Sequence, residues 1–119
     1  MAAAAIKYGR GKRAAAIVLC LGALTALALP AEAKTWTVKI AGMRFDPAIV
    51  TVARGDTVIW VNEDPFPHTV TSADAGRFDS HAIAPGASWQ YRATTLGRYA
   101  YACTFHPTMQ ATLVVKGKP

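Results

Sequence analysis

The chain has 119 residues, 52% of them hydrophobic, with thirteen Lys and Arg against seven Asp and Glu for a formal net charge of +6 at pH 7. Four of the basic residues and one acidic residue fall within the first 33 positions, so the remainder carries nine against six, or +3, and a nucleic-acid-binding reading of the overall charge loses its support. Two cysteines and three histidines exclude a disulfide-dense scaffold and an array of metal centres.

The N-terminal stretch has the order of a secretory signal. Lys7, Arg10, Lys12 and Arg13 form a positive region, residues 14–29 (AAAIVLCLGALTALAL) an apolar one, and Ala31-Glu32-Ala33 an A-x-A cleavage signal. A retained membrane anchor is the weaker alternative, because the apolar run is short for a span, which needs about 20 residues, and Pro30 closes it. Bulky Leu19 precedes Cys20 where a lipoprotein signal places a small residue, which argues against lipid attachment. Cys20 therefore leaves with residues 1–33, and residues 34–119 form one small exported domain with Cys103 unpaired. A domain of this size buries only about 60–65% of its unfolded surface. A ligand held at 1,000 times its dissociation constant would add about 4 kcal/mol of stability.

Thr35 to Ala41 (TWTVKIA) alternates, with Trp36, Val38 and Ile40 on one face, and predicts a half-buried strand. Ala48 to Ala53 predicts a second, closed by an Arg54-Gly55-Asp56 turn. Thr57 to Val61 (TVIWV) is β-branched and aromatic on both faces, as a strand inside a sandwich would be. His68 to Ser72 predicts a short strand, residues 73–86 a loop ending in Pro85-Gly86, and Ala87 to Ala93 a strand with Trp89 and Tyr91 inward. Arg98 to Cys103 and Gln110 to Lys116 complete the set, with residues 104–109 as a turn between them. Seven to eight short strands, with no helical period in residues 34–119, predict an all-β sandwich or barrel. Tyr99 and Tyr101 share the face of Cys103; either one ties a corner through its hydroxyl, or both fill the core.

Cys103, His106 and Met109 stand three residues apart where that turn is expected, so their side chains can converge on one point as they could not along a straight strand. A second loop, WVNEDPFPHTV, delivers His68. Two imidazoles, a thiolate and a thioether match a blue-copper electron-transfer site, which takes His₂Cys in a plane and a weak axial Met. Zinc disfavours the thioether, and the set leaves no open position for a catalytic water. Taken singly, His68 reads as a turn histidine, Met109 as core filler and Cys103 as an inert thiol; their joint spacing favours copper. His81 falls outside both loops and reads as an exposed loop residue.

The run MRFDPAIVTVARGDTVIWVNEDPFPHTV, followed by GRYAYACTFHPTM, resembles the cupredoxins of the plastocyanin and amicyanin group over residues 36–116. The spacing between His106 and Met109 is similar to that of amicyanin. The resemblance implies a Greek-key β-sandwich, one copper ion per chain, and His68, Cys103, His106 and Met109 as its ligands. It also implies that Asn62 ties the His68 loop to the Cys103 loop. Amicyanins carry proline where this chain has Phe105, whose backbone N–H is thereby free to donate to the Cys103 sulfur.

These readings give a monomeric, periplasmic, non-enzymatic carrier of single electrons. Its partners would be transient redox proteins, such as a periplasmic dehydrogenase as donor and a c-type cytochrome as acceptor, with no nucleic acid and no membrane once the signal is gone. Phe66, Pro67, Phe105, Pro107 and Met43 would form the apolar docking patch. The alternative is a periplasmic copper carrier or storage protein without electron transfer, although such proteins tend to use Met-rich or His-rich open sites. A nitrite reductase fragment fails on size and missing ligands.

Overall fold

The computed structural model describes residues 22 and 32–118; but for residues 22, 32 and 33, the export segment read from the sequence lies outside them. Eight strands account for the fold: β1 Thr35–Ala41, β2 Arg44–Asp46, β3 Ile49–Ala53, β4 Thr57–Asn62, β5 Thr71–Ser72, β6 Ser88–Arg92, β7 Gly97–Cys103 and β8 His106–Lys116. They form two four-stranded sheets, in the orders β2-β1-β4-β6 and β3-β8-β7-β5. β1 runs parallel to β4 and β3 parallel to β8, while the remaining pairs are antiparallel. Among the described residues, all eight strands and every buried residue lie within 34–118. Among the described residues no helix is long and apolar enough to cross a membrane.

Alternation along the strands places the core as the sequence predicts. Val38 and Ile40 from β1, Val58 and Trp60 from β4, Tyr99 and Tyr101 from β7, and Leu113 and Val115 from β8 meet between the sheets. Tyr101 is the centre of an aromatic group: its ring stands edge-on to Trp60 at 5.6 Å and to Phe45 at 4.8 Å, and its hydroxyl accepts the Trp60 indole N–H at 3.1 Å. Aromatic pairs of this geometry contribute about 0.5–1.5 kcal/mol each beyond their buried area. Burial, opposed only by that hydrogen bond, pushes the Tyr101 phenol up to about 12.

Four details differ from the sequence reading. Trp36 shares the face of Val38 and Ile40 but stays 37% exposed, because it lies at the open end of β1 and its indole N–H is drawn to Asp56. Ile59 and Val61 are half-buried rather than buried, so β4 has one core face. Only Thr71–Ser72 of the stretch from His68 is a strand; His68 itself makes an isolated antiparallel bridge to Ile83. β8 begins at His106 instead of Gln110. A register shift between Ala102 and Cys103 lets Cys103 pair with His106 around Thr104 and Phe105, so backbone hydrogen bonding extends into the expected turn.

β2 is an additional strand made by a two-residue hairpin. Ala41 pairs with Arg44 across Gly42 and Met43, which have φ of 57° and 61°. Such a turn needs positive φ at both central positions, which costs Met43 about 1–2 kcal/mol as an L-residue. The Asp64 carboxylate offsets that cost by accepting both amide N–H groups, from Gly42 at 2.7 Å and Met43 at 2.9 Å.

The two tyrosines of β7 have different tasks. Tyr99, not Tyr101, ties a corner: its hydroxyl reaches the carbonyls of Thr95 and Leu96, both at 2.9 Å. Gly97 makes room for it, since a Cβ there would stand 2.9 Å from that hydroxyl. Replacing Tyr99 with Phe removes this tie, and the expected loss is about 1 kcal/mol, or about 4–8 °C in Tm. Thermal unfolding checks it; an unchanged Tm would show that the corner holds without the hydroxyl.

Candidate metal centre

The loop that follows β4 is built around two side chains. Asn62, fully buried at the end of β4, donates from Nδ2 to the carbonyls of Phe66 at 2.7 Å and Ile83 at 2.9 Å, while its Oδ1 accepts the Asp64 N–H at 3.0 Å. These bonds fold the NEDPF turn back on the strand and deliver His68 beneath it. They do not reach the Cys103 loop, so the role expected for Asn62 falls to another residue. Thr69 makes the link between loops: its Oγ1 accepts the Thr104 N–H at 2.8 Å and lies 3.1 Å from the Thr104 hydroxyl. Thr69 meets both the loop and the sulfur because its own backbone follows His68 directly.

His68 and Cys103 are both fully buried, and His68 Nδ1 faces Cys103 Sγ at 3.7 Å. The other ring nitrogen, Nε2, lies 2.8 Å from Asp64 Oδ2. Burial alone would raise the Asp64 carboxyl, but hydrogen bonds from the Met43 N–H, the His68 ring and the Gly42 N–H hold it below the usual carboxylate range. An ionised carboxylate only accepts, so Nε2 carries a proton, and in a neutral imidazole Nδ1 then presents its lone pair toward the sulfur. A metal-ligating histidine held by a carboxylate at its far nitrogen is a recurrent arrangement, and it fixes both tautomer and ring orientation.

The sulfur has one backbone donor, the Thr69 N–H at 3.3 Å. No hydrogen bond joins the Phe105 N–H to Cys103, contrary to the expectation for that residue; Phe105 sits in the β7–β8 turn with its side chain 52% exposed. His106 stands half-buried at the edge of the same turn, its ring 5.6 Å from that of His68. Met109 is buried on β8, in the same core cluster as Cys103. Among the described residues no three His, Cys, Asp or Glu side chains form a closed metal-holding group. Of the expected ligand set, His68 and Cys103 are the pair in contact, and His106 and Met109 are among the first, turn-side residues of β8. His81 is exposed, with its N–H on Asp79 Oδ1 at 2.9 Å.

This donor set suits copper: a fully buried cysteine whose sulfur has an amide donor, beside a fully buried imidazole whose far nitrogen is held by a carboxylate. A model of the cupredoxin-like domain matches residues 13–115. The chain belongs to this family. It is 31% identical over 106 residues to amicyanin-alpha of Methylorubrum extorquens, covering 86% of this chain and 88% of the relative. It is 38% identical over 72 residues to the chloroplastic plastocyanin of Tetradesmus obliquus, covering 52% of this chain and half of that protein's length. Among solved structures, the Cu(I) form of a methionine-to-alanine variant of amicyanin superposes with a TM-score of 0.64 at 30% identity, over 69% of this chain and 82% of its own. The copper-containing nitrite reductase of Thermus scotoductus SA-01 superposes with a TM-score of 0.66 at 27% identity, over 71% of this chain but only 23% of the reductase.

Asp64 and Thr69 escaped the sequence reading. The signal for Asp64 was its place four residues before His68 in an acidic, proline-containing turn; Thr69 offered only adjacency to His68. Replacing Asp64 with Asn leaves an amide NH₂ facing N–H donors, and the expected cost is about 1.5–3 kcal/mol. Its depressed carboxyl sets the sign with pH: the contribution is present above the ordinary carboxylate value, near pH 4, and lost as pH falls through the lower folded-state value. Thermal unfolding and ¹⁵N shifts of the His68 ring check this; unchanged stability and an unchanged tautomer in Asp64→Asn would contradict the assignment.

Proposed function

We propose that this cupredoxin, exported and trimmed to residues 34–119, works in the periplasm as a monomeric carrier of single electrons with one copper ion per chain. The observation that carries the reading is the buried pair of His68 and Cys103, with Asp64 fixing the outer nitrogen of the imidazole and leaving the inner one toward the sulfur. His68, Cys103, His106 and Met109 would hold the ion. Bound there, copper supplies a reversible Cu(II)/Cu(I) couple.

The protein's own part is to keep that environment constant. Asn62 and Asp64 hold the His68 loop to the rest of the sandwich, and Thr69 joins it to Thr104 next to Cys103. Ligands on loops bound to each other in this way move little when charge changes. Complete burial keeps water and substrate-sized molecules from the Cys103 sulfur, which supports a carrier over an enzyme. The three histidines, one of them on the exposed loop at His81, leave no ligands for a second centre of the kind a multicopper enzyme needs.

Electrons would pass through the half-exposed edge of His106. Phe66, Phe105 and Met43 are exposed large apolar residues on the ligand loops or on the hairpin that Asp64 holds to them, and Pro67 and Pro107 are exposed beside them. A small apolar face suits partners that must part quickly, such as a periplasmic dehydrogenase donor and a c-type cytochrome acceptor.

Voltammetry and stopped-flow mixing with a c-type cytochrome test this reading. The expected result is a reversible one-electron wave with copper retained over repeated cycles, and a cytochrome rate that falls by about tenfold or more in Phe66→Glu while the visible spectrum stays the same. Loss of Cu(I) to a soluble chelator faster than electrons reach the cytochrome would instead make the protein a copper carrier.

A further inference from the structure

The end of the domain opposite His68 holds a second buried carboxylate, Asp56, whose partners come from the first residues of the folded chain. Its Oδ1 accepts the backbone N–H of Lys34 at 2.8 Å, and its Oδ2 accepts the Trp36 indole N–H and the Ala53 N–H, each at 2.9 Å. The Lys34 carbonyl in turn accepts the Thr57 N–H at 2.9 Å. Lys34 is thus pinned on both sides, whereas Glu32 and Ala33 are exposed and the strand ladder starts after them. The A-x-A cleavage signal ends at Ala33, one bond before the nitrogen that Asp56 holds.

We propose that Asp56 is the receptor for the N-terminus created by export: cleavage at Ala33–Lys34 turns a neutral amide donor into an α-ammonium paired with a buried carboxylate. The inference rests on the export reading above. A signal peptidase adds water across the Ala33–Lys34 amide, leaving a carboxylate on Ala33 and an amine on Lys34, which takes up a proton. The nitrogen already lies at hydrogen-bond distance, so the pair forms with little rearrangement, and a charge-assisted bond of this kind is roughly twice as strong as the neutral one it replaces. The Lys34 N–H is the largest influence holding the Asp56 carboxyl below its usual range; burial opposes it, and Trp36, Ala53 and the Lys34 charge add to it. The charged groups in the adjoining groove, Arg54, Arg92 and Lys118, are all basic side chains.

The pH course follows from both partners. An α-amino group raised above its ordinary value of about 8 stabilises fully below that value and loses its effect as pH rises through the folded-state value. A depressed carboxyl stabilises above about pH 4 and loses its effect as pH falls through its own lower value. The pair therefore acts in full between about pH 4 and 8.

The test compares the exported protein, its N-terminus fixed by intact mass, with the same chain retaining Glu32 and Ala33, each with Asp56 and with Asp56→Asn. At pH 6 the processed protein is expected to melt about 4–8 °C above the extended one. The gap should close above the folded α-amino pKa and vanish in Asp56→Asn. Equal Tm values, a gap independent of pH, or a gap that persists in Asp56→Asn would overturn the proposal. If Asp56→Asn does not fold, the α-amino pKa of the processed protein decides by NMR: a value above 8 supports the pair, and an ordinary one overturns it. A mass that places the N-terminus elsewhere overturns the cleavage reading itself, while a chain begun at Lys34 still tests the pair.

Discussion

One buried carboxylate, that of Asp64, organises the end of the sandwich where the candidate ligands His68 and Cys103 meet. It accepts two amide N–H groups from a left-handed hairpin and one ring N–H from His68, so it joins β1, β2 and the loop after β4 at one point. A buried charge with three donors is stable where an unpaired one would not be. The same bonds favour its ionised form, which places a proton on His68 Nε2 while Nδ1 faces Cys103. Hairpin closure and the orientation of the His68 ring therefore share one carboxylate.

The ends of β4 show how the fold divides its labour. Asp56 precedes that strand and Asp64 follows it, and the strand's six extended residues span about 20 Å. Between them Val58 and Trp60 fill the core, and Trp60 meets Tyr101 through both ring and hydroxyl. β7 leads from the Tyr99 corner through Tyr101 to Cys103, so the sulfur's position depends on the same packed strand that closes the core. The middle is apolar and rigid, and the polar decisions are made at the two ends.

Much of this was legible in the residues. Alternation in TWTVKIA and RYAYAC gave the inward faces, and the spacing of Cys103, His106 and Met109 marked them as ligand candidates, because side chain direction along a strand or turn follows from local geometry. What was less legible depended on partners distant in the chain. Asp64 looks like a solvated turn residue until the hairpin at Met43 closes over it. Asn62 was expected to bridge two loops, but its donors are taken by Phe66 and Ile83, and Thr69 bridges instead. The early start of β8 came from a register shift at Cys103, which strand periodicity does not encode.

The account stands on Cys103 and His68 being ligands to the same copper ion. The most direct measurement is a Cu(II) titration of the protein, followed by visible absorption and electron paramagnetic resonance, alongside Cys103→Ser. The account predicts an intense blue thiolate-to-copper band with narrow hyperfine splitting, saturating at one copper per chain and absent from the variant. A pale spectrum with ordinary splitting, the same in both proteins, would mean that Cys103 is not a ligand and would contradict it.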